Sequence, residues 1–306
     1  MWDIVGKRYR WFALSLLVIV PGLIFLFAFG LPFAIDFTGG SLLELQFKNT
    51  APATADVNAV YAQFGFPDSQ VQSTENNGVQ IRSKSMEDST KNSIEAALRE
   101  KFGDFTELEF GSVSAAISAE VVQGGIAAVG FAAVGILAYL WYAFRKVPHS
   151  FRYGVAAIIA MLHDVAVMVG AAAIFGKLLG WEIDALFLTA LLTVIGFSVH
   201  DTIVVFDRIR ENLIRRRGET YDRIVNHSVI QTLDRSISTQ LTVFFTLLAL
   251  ALFGGVTIRH FIVVLLVGIL SGTYSSIFNA AQILVVWENK EWRTWFRRKP
   301  AEPATM

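Results

Sequence analysis

Hydrophobic residues fall along this chain in six long blocks, with one polar, mixed-charge interval between the first block and the second. The first block, Trp11–Leu31, follows Lys7, Arg8 and Arg10. A basic flank before an apolar core is also the layout of a cleavable signal. This core runs to about 20 residues, longer than the usual signal core, with no clear small-x-small site after it. It reads as an uncleaved first transmembrane helix. The later blocks are about Val121–Phe144, Tyr153–Phe175, a run from Ala185, Leu241–Gly254 and Phe261–Val286. Crossing a bilayer takes about 20 residues of helix, so the fifth block must start earlier, in the Ser/Thr-rich stretch around Arg235–Gln240. The pattern predicts an α-helical polytopic membrane protein with six transmembrane helices.

The polar interval, residues 33–118, has the periodicities of a small α+β domain. Leu43, Leu45 and Phe47 alternate with Glu44 and Gln46, as in a half-buried strand. Val57, Val60, Tyr61 and Phe64 mark one helix face; Ile94, Ala97, Leu98 and Phe102, closed by Gly103, mark another. Asn76-Asn77-Gly78 between Val71 and the Val79/Ile81 pair is a hairpin signal. Phe105, Leu108 and Phe110 complete a βαββαβ order, the ferredoxin-like pattern. The divisions expected are residues 1–32 (N-terminus and first helix), 33–118 (α+β domain), 119–287 (helices two to six) and 288–306 (basic tail).

Charge sets the orientation. Lys+Arg and Asp+Glu both number 26, so the total says nothing about nucleic acid, and only the distribution matters. With the N-terminus inside, 18 of the 26 basic residues fall on the cytoplasmic side, which satisfies the positive-inside bias. Both termini are then cytoplasmic and the α+β domain is extracytoplasmic. Between the fourth and fifth spans, in the cytoplasmic loop 207–239, Tyr221, Ile224, Val225, Ser228, Val229, Thr232 and Leu233 keep helical spacing. They predict an amphipathic helix lying on the inner interface, capped by Thr220. It serves either as a connector or as a dock for a cytoplasmic partner.

Chemistry enters with Asp201, inside the stretch Gly196–Asn212 of the fourth span. A charged residue at helix-centre depth costs about 2.5–3.5 kcal/mol on insertion scales, and it usually faces a partner or a water-filled cavity. Ser198 and Thr202 make its neighbourhood polar. Two readings stand: a helix–helix hydrogen bond without a transport role, or a protonatable switch. Arg235, at the cytoplasmic start of the fifth span, is either a snorkelling anchor or a charge that approaches the depth of Asp201. His163-Asp164 and His200-Asp201 invite a metal site, yet no H-x-x-x-H or HExxH spacing is present. The Gly-x-Gly-Asp setting of an intramembrane aspartyl protease is missing too, so Asp164 reads as packing or as part of a shared polar network. Gly268, Ser271, Gly272, Ser275 and Ser276 in the last span, and Gly124, Ala128 and Ala132 in the second, have close-packing spacing. There is no phosphate-binding loop, so any energy source is not nucleotide hydrolysed by this chain. The absence of cysteine excludes disulfides, thiolate metal sites and cysteine nucleophiles, and with no histidine between Phe33 and Glu120 the α+β domain reads as an interaction domain rather than an enzyme.

Several stretches together resemble the SecF family of protein-export membrane proteins, within the resistance–nodulation–division superfamily. They are Asp36-Phe37-Thr38-Gly39-Gly40, Leu162-His163-Asp164, Gly196–Asn212, Asn226-His227-Ser228 with Thr232-Leu233-Asp234-Arg235, Phe253-Gly254-Gly255, and Gly272-Thr273-Tyr274-Ser275-Ser276. The sequence departs from the family pattern at His200, usually Asn, at Thr239-Gln240-Leu241-Thr242, usually richer in hydroxyls, and at Val113-Ser114-Ala115, which lacks Gly-Pro. The resemblance implies a bacterial cytoplasmic-membrane protein with a SecD-like partner, the SecYEG channel, YajC and a translocating preprotein as associates. It implies the proton motive force as energy source, with Na⁺ as the alternative, and no cofactor. Proton-relay roles carry over to Asp201 and Arg235, with His200 and Asp164 as further candidates. Asp36, Thr38, Gly39 and Gly40 would shape the junction after the first helix. An exporter of lipid or small hydrophobic molecules is the alternative, disfavoured because one domain of roughly 85 residues leaves little room for a ligand cavity. A structural scaffold for a translocon is the third reading.

Overall fold

The computed structural model describes residues 2–74, 76–145, 147 and 149–293. Lys146, and residues 294–306 of the basic tail expected at 288–306, lie outside them. The chain runs α1 (Arg8–Phe29), α2 (Ile35–Thr38), β1 (Gly40–Phe47), α3 (Thr54–Gln63), β2 (Gln70–Thr74), β3 (Gly78–Ser83), α4 (Asp88–Phe102) and β4 (Phe105–Val113). It continues in helices α5 (Ala115–Ala143), α6 (Ser150–Leu179), α7 (Ala185–Arg215), α8 (Tyr221–Phe253), α9 (Val256–Ser275) and α10 (Ala281–Glu288). A π-helical segment, Ser276–Ala280, joins α9 to α10 within a single span. Among the described residues six helical stretches are long and apolar enough to cross a membrane. Two compact units emerge: Phe33–Ala127 with Glu182–Ala185, and Met1–Pro32 with Ala128–Trp181 and Leu186–Met306.

In the smaller unit the four strands order β2-β3-β1-β4, every pair antiparallel. Leu43, Leu45 and Phe47 alternate inward as their period-2 pattern requires and meet Val57, Val60 and Tyr61 of α3 and Ile94 and Leu98 of α4. Asn76 and Asn77, in the connection between β2 and β3, both have positive φ, 55° and 60°, a backbone that asparagine adopts more readily than most residues other than glycine. Leu108 breaks the expected pattern, with 53% of its surface exposed. Glu44 pairs with Glu109 and Leu45 with Glu107, so Leu108 is the unpaired residue of a β-bulge and turns off the core face. Phe64, expected on the α3 face, is likewise exposed, just past the end of the helix.

In the larger unit, α6, α7 and the α9–α10 span are the inner helices: 44%, 50% and 56% of their most apolar windows are buried, against 11%, 6% and 11% for α1, α5 and α8. Small residues set the inner contacts. A Cβ on Gly268 would strike Val194 and the Met168 sulfur, and one on Gly272 would lie 3.1 Å from the Ser198 Cβ. The close-packing reading holds for the last span. On α5, a Cβ at Gly124 would meet nothing within 4 Å among the described residues.

The amphipathic segment at residues 221–233 is not a separate interfacial helix. It is the first part of α8, continuous through Phe253. No glycine or proline interrupts residues 221–253, so nothing breaks the helix before the span. Its apolar stripe is buried in protein: Val225 and Val229 join Phe144, Val205, Phe206 and Ile209 in one core cluster. Asn226 on the same helix holds the N-terminus, accepting from the backbone N–H groups of Ile4 (2.9 Å) and Val5 (3.1 Å).

Candidate functional site

Three inner helices place a carboxylate among hydroxyls. Asp164 of α6 is fully buried. Ser198 of α7 donates to its Oδ2 at 2.5 Å, Ser275 of α9 to the same oxygen at 2.7 Å, and Ser271 to Oδ1 at 2.7 Å. His163 Nδ1 lies 3.0 Å from Oδ1, and the imidazole stacks on Tyr274. Ser271 and Ser275 sit four residues apart, which puts both hydroxyls on one helix face. An isolated buried carboxylate would be costly, and this ring of donors is what makes it tolerable.

The network continues along α7. Ser276 Oγ donates to the Ser198 carbonyl at 2.9 Å, and Thr202 Oγ1 donates to Ser276 Oγ at 3.0 Å. Beside Thr202, Asp201 is buried, and its Oδ2 accepts from Gln240 Nε2 of α8 at 2.6 Å. Among the described residues Gln240 Oε1 is buried without a partner. Asp164 and Asp201 therefore belong to one polar seam through α6, α7, α8 and α9.

Arg235 does not close onto Asp201 in this conformation. It is exposed and lines a cavity of about 430 Å³ with Tyr139, Phe144, Asp207, Arg208, Glu211 and Gln231 among others. Arg208 and Arg210 there are paired with Glu211 and Asp207 at 2.6 Å each, whereas Arg235 has no ion pair among the described residues. His200 is exposed. His163 is turned to Asp164, so the two His-Asp pairs do not converge on a common point, and among the described residues no cluster of three metal-ligating side chains forms.

Residues Asp36–Gly40 make a second constellation, in the smaller unit. Asp36 Oδ2 accepts from the backbone N–H of Ala185 at 2.8 Å. Ala185 is the first residue of α7, so this carboxylate lies at a helix N-terminus, where a negative charge is favoured. Thr38 Oγ1 donates to the Ala34 carbonyl at 3.1 Å. Gly39 and Gly40 have φ of +69° and +114°, and a Cβ on Gly40 would fall 2.6 Å from the Ser83 carbonyl oxygen.

Sequence reasoning placed Asp201, Asp164 and the glycine pair, and missed the partners. Ser271, Ser275 and Ser276 were legible as small packing residues, not as donors; their recurrence on one face of an apolar span was the available signal. Gln240 was visible only as a departure in a hydroxyl-rich run.

A family model described as "Protein export membrane protein SecD/SecF, C-terminal" matches residues 93–290, and one described as "SecD/SecF GG Motif" matches residues 24–51. The chain is 53% identical to the protein translocase subunit SecF of Thermobaculum terrenum, over 99% of each sequence. It is 34% identical to SecDF of Bacillus subtilis, covering 95% of this chain and 38% of that longer one. The crystal structure of SecDF from Thermus thermophilus, a translocon-associated membrane protein, superposes with a TM-score of 0.77 at 33% identity, over 94% of this chain and 39% of that one.

Proposed function

The chain belongs to the SecD/SecF family of protein-export membrane proteins, and on that premise we propose that it is the SecF-type subunit of a protein translocase, driven by the proton motive force. SecD and SecF are fused in single-chain relatives such as the B. subtilis SecDF, which supports a SecD-like subunit as the partner here. The SecYEG channel and YajC are the further associates proposed, and a translocating preprotein is the substrate. The basic residues gathered in the N-terminus, the α5–α6 and α7–α8 connections and the C-terminal tail support a bacterial cytoplasmic-membrane location with both termini inside and the α+β domain outside.

The observation that carries this reading is Asp201, buried in the middle of a membrane span and hydrogen-bonded to α8, next in the chain to Thr202, whose hydroxyl bonds to Ser276 beside the Asp164 cage. A proton reaching Asp201 removes one buried charge; its release restores that charge and the pull on Arg235. Each proton crossing supplies about 2.3 kcal/mol per 100 mV, enough to shift a helix equilibrium of the usual 1–3 kcal/mol size. Movement of α7 against α8 is the step so driven, and it uses no nucleotide hydrolysis by this chain.

The test is export into membrane vesicles under an imposed proton gradient. Asp201→Asn keeps the shape and loses the titration: the variant should insert and bind its partner, and lose gradient-dependent stimulation. Full stimulation in Asp201→Asn would leave this carboxylate a structural group only. A matched sodium gradient decides between H⁺ and Na⁺.

A further inference from the structure

We infer that Gln240 is the positioning residue that holds Asp201 in its neutral, protonated form. The inference rests on the reading of Asp201 as the proton carrier. Its basis is the pairing of these two side chains within the seam.

Gln240 Nε2 donates to Asp201 Oδ2 at 2.6 Å, while its own Oε1 is buried without a donor. Among the described residues Asp201 Oδ1 makes no hydrogen bond. A primary amide beside a carboxylate satisfies one of its two ends. Beside a carboxylic acid it satisfies both: Nε2–H to Oδ2, and Oδ1–H to Oε1, closing a two-bond ring.

The balance between the two forms can be argued. The amide N–H alone favours the carboxylate, because hydrogen bonds to charged groups are about twice as strong as neutral ones. The amide carbonyl reverses this. Against a carboxylate it stays buried and unpaired, a penalty of the same size as the charge-assisted gain; against the acid it gains a bond.

The surroundings leave Gln240 this role. The titratable and charged groups about Asp201 are His200 beside it on α7, Arg235 one and a half turns earlier on α8, and, beyond Ser198, the Asp164–His163 pair on α6. From α9 come hydroxyls and the Tyr274 phenol, which stacks on His163. His200 and Arg235 are both exposed, and neither supplies a hydrogen bond to Asp201. Among the described residues, the side chain hydrogen-bonded to the carboxyl is Gln240. Loss of the proton removes the bond to Oε1, strands the buried amide carbonyl without a donor, and leaves an anion for which Arg235, on the same helix, competes. Gln240 and Arg235 are thus the two alternative partners of Asp201 on α8, one for each protonation state.

The test is an infrared pH titration of the full-length chain in lipid nanodiscs, with the Asp201 carboxyl band assigned by its loss in Asp201→Asn. Gln240→Met keeps volume and removes both hydrogen-bonding ends. The midpoint of the band should move to lower pH by about one unit, a tenfold loss of proton affinity. Gln240→Ser, too short to bond both oxygens, should move it the same way, and covers the case in which Gln240→Met does not accumulate. An unchanged midpoint, a move to higher pH, or a parent chain with no protonated Asp201 band overturns the inference. A band that shifts as expected in a chain whose Asp201→Asn variant still exports normally would overturn the transport role of Asp201 and leave the pairing intact.

Discussion

Gly22 on α1 and Gly170 on α6 meet backbone to backbone: a methyl group built on Gly22 falls 2.7 Å from the Gly170 Cα. Neither glycine is needed for a turn, since both lie inside helices. Their role is approach distance, as at other small-residue helix contacts in membranes. Gly170→Val should force α1 and α6 apart and destabilise the bundle by about 1–3 kcal/mol, the usual cost of overpacking. Thermal unfolding of the full-length chain in detergent reads this out; an unchanged midpoint would mean that the contact yields without strain.

The Asp164 cage makes a prediction that a simple packing site does not. Removing one donor from a buried carboxylate costs about 1–3 kcal/mol, so Ser275→Ala should be destabilising by that amount. In an Asp164→Leu background the anion is gone, and the remaining serines can turn to carbonyls of their own helix, as Ser276 already does to Gly272 at 2.8 Å. The same Ser275→Ala change should then cost little. A double-mutant cycle measures the coupling; an equal penalty in both backgrounds would remove the hydroxyl–carboxylate bond from the account.

What was legible in the sequence was whatever repeats. The alternation in β1 and the spacings in α3 and α4 each fix a face, so the βαββαβ order followed from composition and period. What was not legible came from non-repeating geometry. Leu108 fits the strand pattern, yet a bulge against Glu44/Leu45 turns it outward. Residues 221–233 have the stripe of an interfacial helix, but a stripe does not say whether lipid or protein covers it; α7 and its neighbours do. The depth of Asp201 could be counted along a helix, whereas its partner depends on how α8 is rotated against α7. That rotation brings Gln240 to Asp201 and leaves Arg235 in the neighbouring cavity.

Gly40 and Gly39 should differ in what they tolerate. At Gly40 a side chain meets both a φ of +114° and the Ser83 carbonyl at 2.6 Å, with no flexible group to give way. At Gly39 the φ of +69° comes with a ψ of 171°, a backbone that essentially only glycine adopts, and the nearest neighbour, Ser118 Oγ at 3.3 Å, is the end of a side chain. Gly40→Ala should therefore cost more than Gly39→Ala, the latter being about 1–3 kcal/mol. Amide exchange along β1 in the full chain ranks them, and the reverse order would exclude the Ser83 contact as the cause.

Glu44 faces Glu109 across the β1–β4 pair. Burial first, and the Glu109 charge second, hold the Glu44 carboxyl above its ordinary value of 4.5. The folded domain therefore keeps this proton to higher pH than the unfolded chain does. Stability from this group is fully present below about the ordinary carboxylate range and declines as pH rises through the raised value. Glu44→Gln should remove that decline and slow amide exchange in β1 and β4 at neutral pH by roughly two- to fivefold, the scale of one cross-strand pair. A variant that loses protection at neutral pH would show that the Glu44 charge is stabilising in place.

Arg235 separates stability from coupling. It is exposed in the cavity near the start of the α8 span and makes no ion pair among the described residues, so its removal breaks no bond of this conformation. Arg235→Ala should leave membrane level and thermal midpoint within about 0.5 kcal/mol of the parent, as surface substitutions usually do. Its effect belongs to the state in which Asp201 has lost its proton. There the guanidinium is the counter-charge on the same helix, and without it the anion is left in the seam unpaired. Gradient-driven export should therefore fall severely in Arg235→Ala at equal protein level. Arg235→Lys should keep part of it, because the charge survives while the planar, two-pronged donor does not. Export by Arg235→Ala equal to the parent would mean that the ionised Asp201 is met by another group, and His200, adjacent on α7, would be the next residue to replace.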